Sequence, residues 1–189
     1  MATKNIVFDV VGTLAGYDKL HDAMEVTLGD RLRAEGIKIP MLCYLWTGEA
    51  GREYTNLNLS GGYVPYFKVF EAIAFRVFWK CGIAEPRKFA TVEEVAAIAK
   101  GYANLEMRPG AAECVSKLRD AGFTVWGLTT GDLNTVGGYF RRSGIEMPRK
   151  NLVSCDAAQI GKPDPRAYKP LLDRLSSNGS KPWFAAAHE

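Results

Sequence analysis

A chain of 189 residues with 24 Lys and Arg against 21 Asp and Glu carries a formal net charge of +3. That surplus is too small, and too scattered along the chain, to argue for a nucleic-acid partner. With 47% apolar and 24% charged residues, the composition is that of a soluble globular protein: one domain, or a core with a modest insertion. No membrane span is expected, because the longest apolar stretch, Val69–Trp79, contains Glu71 and Arg76. No secretory leader is expected either, because Ile6–Val11 is short and contains Asp9. Cys43, Cys81, Cys114 and Cys155 form no CxxC or other metal-ligand spacing. Cys114 and Cys155 lie in apolar stretches and read as buried thiols, and the expected location is the reducing cytoplasm.

In chain order, Asn5–Val11 is an apolar run with β-branched residues, a buried strand stopped by Gly12-Thr13. Leu20, Met24, Leu28 and Leu32 recur every four residues, one face of a helix that ends before Gly36. Ser60-Gly61-Gly62 is a loop, and Tyr66–Trp79 reads as a second, aromatic helix. The aromatic residues from Tyr63 to Trp79 read as core of this region rather than as a pocket lining. Thr91 with Glu94 is a capping box that opens a third helix, Val92 to about Tyr102.

The pattern changes after Arg108-Pro109-Gly110. Ala111–Ala121 reads as a helix stopped by Gly122, Phe123–Leu128 as a buried strand, and Asp132–Ser143 as a helix stopped by Gly144. Leu152–Cys155 is a short strand. Asp164 is an N-cap with Pro165 at the first helical position, and that helix runs to about Leu175. Trp183–Ala187 begins another apolar strand. Alternating strands and helices predict an α/β fold: a Rossmann-like parallel sheet built from residues 1–15 and 106–189, with residues 16–105 as a helical insertion.

Open parallel sheets bind ligands at the carboxyl ends of their strands. Three polar signals fall at such ends: Asp9, Thr129-Thr130-Gly131 and Lys162. They bring a carboxylate, a hydroxyl and an ammonium to one crevice. Asp132 and Asp164 read as helix caps. His21 reads as solvated, and His188 is open.

Three segments in order, Phe8-Asp9-Val10-Val11-Gly12-Thr13-Leu14, Leu128-Thr129-Thr130-Gly131 and Gly161-Lys162-Pro163-Asp164-Pro165, resemble the first three motifs of the haloacid dehalogenase superfamily. The helical insertion is similar to that family's cap domain, and the resemblance covers essentially the whole chain. Its closest likeness is to the 2-haloacid dehalogenase branch, whose Lys-to-Tyr spacing Lys162–Tyr168 resembles. The resemblance implies a hydrolase in which Asp9 attacks carbon or phosphorus and forms a covalent ester that water then opens. Lys162 would balance charge on the carboxylate, the substrate and the transition state. Thr129 would donate to a substrate oxygen, and Thr13 with the amides after Gly12 would orient Asp9. Val11, Gly12, Thr130 and Tyr168 would line the substrate. Dehalogenases of this kind need no cofactor. The family's phosphatases hold Mg2+ with the nucleophile and the carbonyl two residues on, here Asp9 and Val11, completed by a fourth-motif acid.

The sequence departs from the family's pattern in three places. Phosphatases carry a proton-donating Asp where Val11 stands and the 2-haloacid dehalogenase branch usually carries a Tyr there, whereas Val11 can donate no proton. Dehalogenases carry a cap Arg just after a Trp, whereas Trp46 is followed by Thr47-Gly48-Glu49, with Arg52 out of register. Trp183–Glu189 resembles the strand leading to the fourth motif, whose acid would follow Glu189, so a C-terminally truncated core is expected.

The leading expectation is a dehalogenase-like hydrolase acting on a small or medium organic acid. The second is a Mg2+-dependent phosphatase on a substrate with a good leaving group, such as an isoprenoid diphosphate. The third is a catalytically inactive binding module. A small-molecule substrate is expected in the first two, with neither nucleic acid nor membrane as partner, and a homodimer is allowed.

Overall fold

The computed structural model describes residues 4–176 and 181–187. The chain divides into two compact units, residues 17–105 and residues 1–16 with 106–189. Among the described residues, no helix is long and apolar enough to cross a membrane.

The unit of residues 17–105 is helical. Its first helix, α1 (Asp18–Ala34), buries Leu20, Met24, Leu28 and Leu32, the every-four spacing visible in the sequence. The second, α2 (Ile39–Leu59), is the longest, and no helix was predicted there. Its inward face carries Leu42, Cys43, Trp46, Ala50 and Tyr54, but also Glu49 and Asn58. Two polar residues on the buried face hide the apolar stripe. Each is satisfied on the spot: Glu49 pairs with Arg52 and Lys80, and Asn58 Nδ2 donates to the Tyr54 carbonyl at 2.8 Å.

The expected single helix Tyr66–Trp79 is two, α3 (Tyr66–Ala72) and α4 (Ala74–Lys80), separated at Ile73 with φ −89° and ψ −3°. Trp46 lies against this break. Its ring stacks on Phe70 at 4.6 Å between centroids, and its Nε1 donates to the Phe70 carbonyl at 2.8 Å. That carbonyl is the acceptor an uninterrupted helix offers to Ala74. Trp79, read as core, is 64% exposed.

A short α5 (Pro86–Phe89) precedes α6 (Val92–Ala103), which opens on the Thr91/Glu94 capping box. Glu94 also pairs with Arg31 of α1. The two helices come close at Gly101, where an added Cβ would stand 2.6 Å from Ala23 Cβ and 2.7 Å from the Lys19 carbonyl. Only a residue without a side chain fits there.

The other unit is the α/β core. Strand β1 (Lys4–Phe8) pairs in parallel with β2 (Phe123–Thr129) on one side and β4 (Trp183–Ala185) on the other, and β3 (Leu152–Ser154) pairs in parallel with β2. The sheet order is β3-β2-β1-β4. The helices of this unit are α7 (Ala111–Asp120), α8 (Leu133–Arg142), α9 (Cys155–Ala158) and α10 (Pro165–Ser176). They supply the connections that parallel strands require. Val7, Trp126, Leu128, Cys155, Ala167, Leu171 and Leu175 form a buried cluster of side chains from the strands, α9 and α10. At the middle of the sheet Gly127 lies 2.8 Å from Leu152 Cδ1, measured from an added Cβ, so a side chain there would have to displace Leu152.

β1 ends three residues before the predicted Val11. The Val10 carbonyl accepts both Leu14 N–H at 2.9 Å and Ala15 N–H at 2.8 Å, so the chain is already turning. Cys114, expected to be buried, is exposed. The buried residues of helix α7 are Ala111 and Val115.

Candidate active site

In the order β3-β2-β1-β4, the chain moves outward from β1 through β2 to β3 and then returns to the far side of β1 as β4. The reversal lies at the carboxyl end of β1, the place where open α/β sheets hold their ligands. Asp9 is the residue that follows β1, and its N–H donates to the Ala185 carbonyl of β4 at 3.0 Å.

Both oxygens of Asp9 are engaged. Thr13 Oγ1 donates to Oδ2 at 3.0 Å, and the Lys162 ammonium pairs with Oδ1. The same ammonium donates to the Leu128 carbonyl at 3.2 Å. Thr13 Oγ1 in turn accepts the Ala187 N–H at 2.9 Å, which ties the segment after β4 to the turn after β1. The side chains of Lys162 and Asp9 are 18% and 24% exposed, so the pair is screened less than a surface ion pair.

Gly12 turns the chain beneath Asp9 with φ +85°, a conformation glycine adopts without strain. Its carbonyl accepts from Arg108 Nη2 at 3.0 Å, and the Arg108 N–H donates to the Leu14 carbonyl at 2.7 Å. Val11, half-buried, bridges to Ala15 and offers only an apolar side chain. Thr129 is buried, and its Oγ1 accepts the Gly131 N–H at 3.1 Å rather than meeting Asp9 or Lys162. Thr130 is half-buried beside it.

Tyr168 is half-buried on α10 with its ring 6.2 Å from that of Phe184. Burial pushes its phenol up, and the neighbouring Cys155 and Asp9 push the same way. Cys155 is a buried thiol that burial also pushes up, with the nearby Lys162 charge and backbone acting against it. Asp132 and Asp164 act as caps: Asp132 Oδ1 accepts from Asn134 and Thr135 N–H, each at 2.9 Å, and Asp164 Oδ1 accepts from Arg166 N–H at 2.8 Å.

The structure thus joins Asp9, Thr13 and Lys162 directly and reaches Thr129 only through the neighbouring Leu128 carbonyl. It adds two residues that the sequence did not single out, Arg108 on the Gly12 carbonyl and Ser154, whose Oγ donates to the Gly131 carbonyl at 2.7 Å. The Arg108 contact joins residues 96 apart and left no local signal. A serine ending the strand before the Lys162 loop was the available signal for Ser154. Arg52 pairs with Glu49, and His188 lies outside the described residues.

For Mg2+, the described residues supply Asp9 and the Val11 carbonyl. Among the described residues no cluster of three or more His, Cys, Asp or Glu could hold a metal. Asp9 is the one carboxylate of the expected set that falls within the described residues, and Lys162 and Thr13 engage its two oxygens.

A family model of haloacid dehalogenase-like hydrolases matches residues 3–184. Among curated proteins, the chain is 32% identical over 87 residues to (S)-2-haloacid dehalogenase 4A of Burkholderia cepacia, and 31% identical over 87 residues to (S)-2-haloacid dehalogenase 1 of Pseudomonas sp. (strain CBS-3). Each alignment covers 46% of this chain and 38% of the relative, so the match spans well under two thirds of those proteins' length. Among solved structures, L-2-haloacid dehalogenase RSc1362 superposes with a TM-score of 0.80 at 19% identity, covering 100% of this chain and 79% of that one. The L-2-haloacid dehalogenase from Xanthobacter autotrophicus gives a TM-score of 0.72 at 22% identity, covering 96% of this chain and 68% of that one. At these identities the two structures speak for the fold. With the family model spanning nearly the whole chain, the protein belongs to the haloacid dehalogenase-like hydrolases.

Proposed function

We propose that this protein hydrolyses a small 2-halogenated organic acid through a covalent ester on Asp9, with residues 17–105 as its cap domain. The observation that carries the reading is the environment of Asp9: an ammonium on one oxygen, a hydroxyl on the other, and an apolar Val11 two residues on. The names of the two curated relatives point to the same substrate class.

In the first step a carboxylate oxygen of Asp9 attacks the carbon that bears the halogen. A C–O bond forms, the C–X bond breaks, and halide leaves with the electron pair. In the second step water attacks the ester carbonyl, the hydroxy acid departs, and Asp9 returns as a carboxylate with release of one proton. A halide needs no protonation on leaving, so Val11 is no handicap. Thr13 orients the attacking carboxylate. Lys162 offsets the negative charge that the carboxylate, the substrate and the leaving halide bring together.

The test is halide release from (S)-2-chloropropanoate, paired with a single turnover in 18O-labelled water. The expected outcome is halide release by the wild type, none by Asp9→Asn, and 18O in the Asp9 peptide after one turnover. Halide release with the label going only into product would replace the ester by direct attack of water. Phosphate release that depends on Mg2+, without halide release, would move the protein to the phosphatase reading. Release of neither would favour a binding module.

A further inference from the structure

Ser154 ends β3, is buried at 6% exposure, and uses its hydroxyl twice. It donates to the Gly131 carbonyl at 2.7 Å and accepts the Asp156 N–H at 3.0 Å. The second bond is an ordinary helix cap for α9. The first is not part of a cap: it crosses to the loop after β2, 23 residues away in sequence.

Gly131 is in turn bound to Thr129, donating its N–H to Oγ1 at 3.1 Å. Its backbone runs close to both neighbours, since an added Cβ would stand 3.0 Å from Val136 Cγ2 and 3.6 Å from Thr129 Oγ1. By occupying a lone pair of the Thr129 hydroxyl, the Gly131 N–H restricts where that hydroxyl can send its own proton. On the other side, the α9 turn that Ser154 caps leads into the loop that carries Lys162, whose ammonium meets the carbonyl of Leu128, the residue before Thr129. One buried hydroxyl therefore connects the segment holding Thr129 to the segment holding Lys162.

We propose that Ser154 is a positioning residue that acts through Gly131 to set the Thr129 hydroxyl and, through the α9 turn, the Lys162 loop. It touches no substrate. Its kinetic consequence rests on the Asp9-ester reading, whereas its structural link to Thr129 does not.

The experiment compares wild type, Ser154→Ala, Ser154→Thr, Thr129→Val and the Ser154→Ala/Thr129→Val double variant, by amide hydrogen exchange and by halide-release kinetics on the full chain. In Ser154→Ala, exchange at the Gly131 amide should quicken about tenfold while Val125 within β2 stays unchanged. The kcat should fall by up to about 100-fold with little change in KM, as displacement of a catalytic group predicts. Ser154→Thr keeps the hydroxyl and should restore both. The double variant should lose no more activity than Thr129→Val, because two residues acting as one unit are not additive. Faster exchange at Asp156 without a change at Gly131 would reduce Ser154 to a helix cap and overturn the proposal. Losses that multiply in the double variant would overturn it as well. A wild type that releases no halide would sink the Asp9-ester reading, and the exchange data alone would then decide the role of Ser154.

Discussion

Lys162 and Asp9, 153 residues apart in sequence, meet as an ion pair at the carboxyl ends of β3 and β1, and the same Lys162 nitrogen donates to the Leu128 carbonyl at 3.2 Å. The carbonyl contact holds the ammonium from the β2 side as well, so on the proposed ester mechanism the cation would keep its position when Asp9 is esterified. Replacing Lys162 by Met should lower kcat for halide release by roughly 10²–10³-fold, the usual cost of removing one preorganised electrostatic donor. Lys162→Arg should rescue little, because a planar fork does not reproduce a compact ammonium held between a carboxylate and a carbonyl. Denaturation midpoints of the variants separate a catalytic loss from unfolding. Activity within a few-fold of wild type in Lys162→Met would remove Lys162 from the mechanism.

Val11 offers no proton, so turnover should depend steeply on the leaving group. General acid catalysis typically contributes about 10²–10⁴-fold, and substrates that need it should be slow by that order. Among halogenated acids the rate should follow carbon–halogen bond strength, with fluoride slowest. Val11→Asp should leave halide release flat or lower it. Rates measured across fluoro-, chloro- and bromo-acids check this, and a rate independent of the halogen, with chemistry limiting, would show another acid at work.

Glu49 on α2 gives a pH prediction that does not depend on catalysis. Its side chain is 10% exposed, against 33% for Lys80 and 62% for Arg52, so both cations can remain hydrated if the carboxylate is removed. The hydrogen bond from Lys80 is the main cause that lowers the Glu49 carboxyl; burial opposes it and the Arg52 charge adds to it. A lowered carboxyl contributes stability above its unfolded value, about 4.3, and loses it as the pH falls through the still lower folded value. Glu49→Gln should therefore cost about 1 kcal/mol at neutral pH, and the difference from wild type should shrink below about pH 4. Urea denaturation of both proteins at pH 7 and pH 3.5 measures it. A gap that widens in acid would reverse the assignment.

The cysteines should separate by reactivity. Cys114 is exposed, whereas Cys43 and Cys155 are buried. Burial pushes the Cys43 thiol up to about 12 and raises that of Cys155. Because the thiolate is the reacting form, a thiol reagent at pH 8 should label Cys114 first and leave Cys43 and Cys155 unmodified until the protein is denatured. Peptide mass spectrometry reads the order directly. Prompt labelling of Cys155 in the native protein would mean that the buried cluster around it opens to solvent.

The sequence alone determined whatever rests on short-range signals. The every-four apolar spacing marked α1, and apolar runs marked the buried strands β1 and β2. The Thr91/Glu94 box and the Asp132 and Asp164 caps marked helix starts to the residue, because a cap is a contact within three or four positions. The strand–helix alternation after Arg108 gave the α/β class, and three short segments carried the resemblance to the family. What it missed depended on partners far along the chain. Helix α2 was illegible because Glu49 and Asn58 face inward, and only contacts such as Lys80, 31 residues away, make that tolerable. The break at Ile73 accompanies a hydrogen bond from Trp46 to Phe70, 24 residues apart. The return of β4 to the far side of β1, the Arg108–Gly12 contact and the Ser154–Gly131 bond likewise have no local trace. Local backbone and capping energies are written in neighbouring residues. A hydrogen bond between segments that meet only in the folded chain is set by packing, and only the tertiary structure decides it.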